Sequence, residues 1–361
     1  MKQKKKILVS PLDWGLGHAV RDIPIIHELI KNNFEVIIGG EGKSGVLLKK
    51  EFPKLKYVEI KSFEIKYSKK NLFILKILLQ TPKILLGIIK EHRQVQKIIK
   101  QHNIDLIISD NRYGVYSKKV PSVFISHQIF IQLPKQIKFL EKAACKFQQK
   151  LTANFNKILI PDYEGKENLS GKLSHKQKLP RKYFFIGILS QFKSKKRLNI
   201  KFENDILVII SGPEPQRTVF ETTIITQLKN TNYKILIISG KPQKEFSNIN
   251  SNIKIVGHLP RKEMQDAILK SKIIISRAGY TTIMDLIKLQ KSAILIPTPG
   301  QTEQEYLASY LKDKNIFIFG KQKNLDINSS INELKTLKPN FEKFNINKQT
   351  DITTILKSLL N

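Results

Sequence analysis

A single cysteine, Cys145, stands in a chain of 361 residues. One thiol excludes an internal disulfide framework and any cysteine-rich zinc site, and its helical-looking surroundings make it a bystander rather than a nucleophile. Long hydrophobic runs are missing too. The most apolar stretch, Asn71 to Ile89, is interrupted by Lys76, Pro82 and Lys83. It falls short of the roughly 20 unbroken apolar residues that a membrane-spanning helix needs. At the start, Met1-Lys-Gln-Lys-Lys-Lys precedes only a short apolar run, Ile7 to Val9, which breaks at Ser10-Pro11. That is not a secretory signal, so a cytoplasmic location is expected. Acidic residues are scarce, 30 against 63 lysines and arginines, giving a formal charge of +33 and a pI near 10. Such a charge favours polyanions of every kind, from nucleic acid to acidic membranes and phosphorylated ligands. The lysines are spread along the whole chain, however, without an arginine-rich arm or aromatics interleaved on basic strands. No nucleic-acid module is read from them, and a compositional bias fits equally well.

What is present is a folded, soluble composition, 41% hydrophobic and 26% charged, long enough for two domains. Short β-branched runs alternate with helical patterns. Strands are expected at Lys6–Ser10, Glu35–Gly39, Tyr57–Ile60, Asp105–Ser109, Ser122–Ser126 and Lys157–Ile160. Helices fall between them at Ala19–Lys31, Lys70–Gln101 (broken near Pro82) and Gln136–Leu151. The second half repeats this grammar with strands at Ile206–Ser211, Lys234–Ser239, Asn252–Val256, Lys272–Ser276, Ser292–Ile296 and Ile316–Phe319. Strands alternating with helices imply parallel βαβ units. The expected fold class is α/β, two Rossmann-like doubly wound parallel-sheet domains with an interdomain cleft. The boundaries read as a first domain over 1–190, a linker over 191–204, a second domain over 205–337, and a tail with a last helix over 338–361.

The chemistry lies in strand-to-helix loops. After the first strand comes Gly15-Leu16-Gly17-His18-Ala19-Val20-Arg21. Two glycines allow a tight turn and close approach of a ligand, and a histidine at the helix start can act as a general base. A dinucleotide fingerprint would want a third glycine where Val20 stands, which counts against a nicotinamide even though Glu41 follows the second strand. Ser211-Gly212-Pro213-Glu214-Pro215-Gln216-Arg217 opens the second half, with fixed positive charge at Arg217. Gly257-His258-Leu259-Pro260 follows, and then Ser276-Arg277-Ala278-Gly279-Tyr280-Thr281-Thr282 with Asp285. Last comes Pro297-Thr298-Pro299-Gly300-Gln301-Thr302-Glu303-Gln304. Helix N-termini in such loops suit a diphosphate. Each motif alone is also compatible with an ordinary strand–helix turn.

Taken in this order, the motifs resemble the family 28 glycosyltransferases of the GT-B fold. That family includes the enzyme adding N-acetylglucosamine to the lipid-linked peptidoglycan precursor. The likeness is clearest from Ile253 to about Leu311 and good around residues 7 to 30. The opening Gly-Leu-Gly-His-x-x-Arg looks closest to an uncharacterised branch of predicted transferases. The resemblance implies a UDP-sugar held by the second domain and an acceptor held by the first. In the donor site, the backbone of Leu259 would meet the uracil. Gly279, Thr281 and Thr282 would face the diphosphate with Ser211, Arg217 and Arg277. Asp285 would take the ribose, where the family usually has a glutamate, and Gln304 the sugar, with Glu305 replacing a second polar residue. His18 corresponds to the base for the acceptor hydroxyl in an inverting displacement, and Arg21 to a group neutralising charge. Gly15, Gly17, Asp110 and His127 would line the acceptor side.

The chain contains no Asp-x-Asp motif, so helix N-termini and basic side chains are expected to take the leaving-group charge without a metal or cofactor. The basic, apolar segment around Asn71–Ile89, with Lys66, Lys69, Lys70, Lys76, Lys83, Lys90 and Arg93, would suit an anionic bilayer at the inner membrane face and a lipid-linked or glycan acceptor. It also fits a core helix with solvated lysines. Two other readings share these features. A UDP-sugar 2-epimerase would need further acidic residues around the donor, and a non-catalytic polyanion-binding protein rests on charge alone.

Overall fold

The computed structural model describes residues 4–62, 73–193, 200–241, 247–344, 346 and 350–360. Lys66, Lys69 and Lys70 of the basic segment, the side chain of Lys76, and residues 194–199 of the expected linker lie outside them. The chain divides into two compact units. Residues up to 62, Ile74–Ser190 and those from Phe344 onward make the first, and Gln191–Lys343 the second.

The first unit runs β1 (Lys6–Pro11), α1 (Leu16–Lys31), β2 (Glu35–Gly40), α2 (Gly42–Glu51), β3 (Lys56–Glu59), α3 (Phe73–His102), β4 (Leu106–Asp110), β5 (Ser122–Ile125), α4 (Glu141–Thr152), β6 (Lys157–Ile160) and β7 (Tyr183–Phe185). Its seven strands are parallel in the order β3-β2-β1-β4-β5-β6-β7. The central strands are covered on both faces, so β1, β4 and β5 are buried throughout or nearly so. That is why they appear in sequence as continuous apolar runs rather than alternating ones.

The second unit runs β8 (Asn204–Ile209), α5 (Gln216–Leu228), β9 (Ile235–Ile238), β10 (Ser247–Asn248), β11 (Ile253–Val256), α6 (Arg261–Leu269), β12 (Ser271–Ser276), α7 (Tyr280–Lys288), β13 (Ile294–Leu295), α8 (Thr302–Asp313), β14 (Ile318–Phe319) and α9 (Ile327–Thr336). Its sheet has the order β10-β11-β9-β8-β12-β13-β14 and is parallel except for the short β10. A core of isoleucines from these strands packs against Phe220, Ile224 and Leu228 of α5.

Several elements depart from expectation. The helix expected to break near Pro82 is continuous, α3 running from Phe73 to His102 through the proline. Proline removes one backbone donor, and thirty residues of helix hold the remaining ladder around it. The helix expected over Gln136–Leu151 begins instead with a 3₁₀ segment, Lys135–Leu140, with non-helical backbone at Ile137, and becomes α-helical only at Glu141. The closing helix, Ile352–Leu360, belongs to the first unit, where Thr350 Oγ1 donates to the Phe185 carbonyl at 3.0 Å and Lys157 Nζ meets Ser358 Oγ at 2.7 Å.

Candidate active site

In the first sheet the strand order reverses between β1 and β4. Open α/β sheets bind ligands at such a switch point, outside the carboxyl ends of the strands. The loop after β1 arrives there with Gly15 at φ 147, a backbone conformation that glycine adopts readily and other residues do not. The loop is pinned from below. The Ser44 N–H donates to Asp13 Oδ1 at 2.8 Å, and Ser44 Oγ donates to the Gly15 carbonyl at 3.2 Å. This fixes the start of α1, so His18 and Arg21, one turn apart on the same face, both lean toward the end of β4.

Asp110 closes β4 and is fully buried. His18 Nδ1 lies 2.9 Å from its Oδ1, and Arg21 Nε donates to its Oδ2 at 2.7 Å, with Arg21 Nη2 donating to Oδ1 as well. Arg21 Nη2 also lies 2.9 Å from His18 Nδ1, and Nη1 lies 3.2 Å from His127 Nδ1. A ring nitrogen cannot both donate to the carboxylate and accept from the guanidinium. The carboxylate has no proton to give, so Nδ1 carries the hydrogen and Nε2 keeps its lone pair. The His18 side chain is 21% exposed. Burial by itself would raise the Asp110 carboxyl, but the charge of Arg21, that of His18 whenever its ring is protonated, and the hydrogen bonds from both outweigh it and hold the group well below the usual carboxylate range.

The structure thus brings His18, Arg21, Asp110 and His127 together, with Gly15 and Gly17 at the head of the helix that carries two of them. Asp110, expected on the acceptor side, has no exposed surface and stands behind His18. Arg21 is buried too, so it positions Asp110 rather than meeting solvent. Glu41 accepts from the N–H of Ser62.

The second sheet reverses its order between β8 and β12, and most of the expected donor residues flank that point. Gly212, after β8, has φ 103, and a side chain there would stand 3.6 Å from Thr298 Oγ1 in the loop after β13. These loops are tied together by Arg277, which follows β12 and is buried. Its Nη1 donates to the carbonyls of Ile296 and Pro297 at 3.2 and 3.0 Å, and its Nη2 to the carbonyl of Gln216 at 2.9 Å. The guanidinium lies 4.0 Å over the Phe220 ring. Burial pushes it down to about 9, which leaves it charged at neutral pH. Arg217 is engaged likewise, with Nη1 on the Gly240 carbonyl at 2.8 Å and Nε and Nη2 on Glu214 at 2.9 and 2.6 Å. Both arginines frame the loops.

Helix α7 starts at Tyr280 with Gly279 at its N-cap, a residue with no side chain to fold back on the helix end. Thr281 and Thr282 occupy its first turn, whose N–H groups have no acceptor within the helix. Asp285, one turn on, is buried and accepts from Gln191 Nε2 at 3.2 Å. Gln304 accepts from the Thr298 N–H at 2.9 Å and donates to Gln301 Oε1 at 2.5 Å, while Glu305 accepts from the Gly300 N–H at 3.2 Å. Ser211 stands in the loop after β8, and half-buried Leu259 lies two strands along the same edge, after β11. Among the described residues, no group of three or more His, Cys, Asp or Glu is placed to hold a metal ion.

Residues 215–359 match the glycosyltransferase family 28 C-terminal domain. The chain is 24% identical to an uncharacterized glycosyltransferase of Methanosarcina acetivorans, over 86% of this chain and 84% of the relative. It is 22% identical to the UDP-N-acetylglucosamine--N-acetylmuramyl-(pentapeptide) pyrophosphoryl-undecaprenol N-acetylglucosamine transferase of Caldanaerobacter subterraneus subsp. tengcongensis, over 86% and 85%. In structure it resembles the glycotransferase of kitacinnamycin with a TM-score of 0.67 at 12% identity, covering 99% of this chain and 100% of that one. The chain is a family 28-like glycosyltransferase with the GT-B fold.

In this transferase the family match runs past the second unit into the closing helix of the first. Residues that the motifs did not single out complete both loop systems. Gln191 holds Asp285, Phe220 carries the Arg277 guanidinium, and Asp22 is fully buried beside Arg21. A signal for Asp22 was present. It and Arg21 are the charged residues within an otherwise apolar stretch of α1, Ala19 to Ile26.

Proposed function

We propose that the transferase moves a sugar, an N-acetylhexosamine or a hexose, from a UDP-sugar to an acceptor hydroxyl, with inversion and without a metal ion. The observation that carries this reading is the His18–Asp110 pair, with Nδ1 held 2.9 Å from a buried carboxylate and Nε2 left as the base. His18 Nε2 takes the proton of the acceptor hydroxyl as its oxygen attacks the anomeric carbon. The bond to the diphosphate breaks on the opposite face, and UDP leaves with the electron pair. Asp110 stabilises the imidazolium that forms. Charge on the leaving diphosphate falls to the start of α7, with the hydroxyls of Thr281 and Thr282 and the helix dipole. The Leu259 backbone meets the uracil, Asp285 the ribose, and Gln304 the sugar once it exchanges its bonds to Thr298 and Gln301.

A lipid-linked or glycan acceptor fits the surface of α3, where Leu85, Leu86 and Ile89 are exposed among Lys83, Lys90 and Arg93. Apolar side chains ringed by cations suit peripheral contact with an anionic membrane. No described helix is long and apolar enough to cross one. The test is a panel of nucleotide sugars incubated with the protein and a chelator, followed by NMR. Release of UDP from a UDP-sugar without any 2-epimer is expected, and appearance of the 2-epimer would sink the transferase reading in favour of an epimerase.

A further inference from the structure

Asp22 lies on α1 with no exposed surface, and neither of its carboxyl oxygens meets a hydrogen-bond donor among the described residues. Its carboxyl is within hydrogen-bonding reach of that of Asp110. The neighbouring cation is already engaged: Arg21 gives Nε and Nη2 to Asp110 and turns Nη1 to His127. A second buried negative charge would therefore stand without a partner, which burial strongly disfavours. Adjacent carboxyls in such a place do not both ionise. A carboxylic acid, unlike a carboxylate, has an O–H that Asp110 can accept.

We propose that Asp22 is a neutral carboxylic acid in the working enzyme, donating its proton to Asp110 and so setting how strongly Asp110 holds His18. The proposal rests on the reading of His18 as the base. Asp22 is a positioning residue, since it reaches the reaction only through Asp110. The groups around it are Asp110 at the end of β4, Arg21 and His18 on its own helix, and His127 after β5, beyond Arg21. Burial first, and then the charge of Asp110, push Asp22 well above the ordinary carboxyl value, while Arg21 opposes them. With a donor on Asp110, one negative charge is shared between two carboxyls and matched by one guanidinium. His18 then faces a weaker acceptor at Nδ1 than a lone carboxylate would be.

The deciding experiment is the infrared difference spectrum of wild type minus Asp22→Asn at pH 7. The carbonyl stretch of a neutral carboxylic acid is expected in the wild type, and its absence overturns the proposal. This readout needs no turnover, so it separates failure here from failure of the transferase reading. Kinetics then test the coupling. Asp22→Asn keeps an N–H donor, and the acid limb of its kcat/KM profile is expected where the wild type has it. Asp22→Leu removes the donor and should move that limb up by about one pH unit. A limb that moves down in the Asn variant means that a charge was removed, and a limb unmoved in the Leu variant means that no coupling exists. Either result overturns the proposal.

Discussion

His18 Nδ1 sits 2.9 Å from Oδ1 of Asp110, and these residues come from opposite sides of the strand reversal in the first sheet, one from the loop and helix after β1 and the other from the end of β4. The arrangement gives a histidine one ring nitrogen held from below and one free for chemistry. Removing the ring should therefore remove the base and leave donor binding alone. His18→Ala is expected to lower kcat by about 10²–10⁴-fold with UDP affinity unchanged. Turnover and calorimetry on the same preparation check it, and a variant with undiminished kcat would show that another group is the base.

Arg21 neutralises Asp110 inside the protein, so truncating it strands a buried charge. Arg21→Met should destabilise the first unit by about 3–5 kcal/mol, measured by urea unfolding. A change within about 0.5 kcal/mol would mean that Asp110 is neutral or hydrated in the fold.

The two carboxyls at this site have opposite pH signatures. Asp110 is held low, so the stability it contributes is present above the unfolded carboxyl value near 4 and is lost as pH falls through its folded value. Asp22 is held high. Between about 4 and its folded value the native state binds the extra proton, so wild-type stability declines as pH rises. Asp22→Asn lacks that decline. It should be more stable than wild type at pH 8, and the gap should close as pH approaches 4, by up to about 1.4 kcal/mol per unit. Melting curves at several pH values check this, and a gap that does not vary with pH would show that Asp22 titrates alike in both states.

Arg277 ties the loops after β12 and β13 to the first residue of α5. Lysine cannot reproduce its forked donors or its stacking on Phe220. Arg277→Lys is expected to weaken UDP binding by roughly tenfold, about 1.4 kcal/mol, even though the side chain itself is spent on backbone carbonyls. Unchanged affinity would mean that the loops hold their shape without it.

Much of this architecture was legible because buried parallel strands are written as unbroken apolar runs. Ile7–Val9, Ile107–Ile108 and Ile273–Ile275 could be placed from sequence for that reason. β7 could not, since Tyr183–Phe185 is three residues long, half-buried and preceded by Arg181 and Lys182. Pro82 suggested a break because sequence shows the lost donor but not the long helix that bridges it. At the sites, His18 and Arg21 stood out by residue type at the start of the helix after the first strand, and Asp110 at a strand end. What could not be read was depth. Arg277 and Arg217 read from sequence as ligands for a diphosphate; the fold adds that Arg277 gives Nη1 and Nη2 to backbone carbonyls and that Arg217 bonds the Gly240 carbonyl and Glu214.

The claim on which the rest depends is that a uridine diphosphate binds at the start of α7. Calorimetric titration of the full chain with UDP, in the presence of a chelator, decides this, beside Thr282→Val and with NAD as the control ligand. Saturable binding of UDP, weakened in the variant, is expected, with no heat from NAD. No binding of UDP, or UDP binding that the variant leaves untouched, would contradict it.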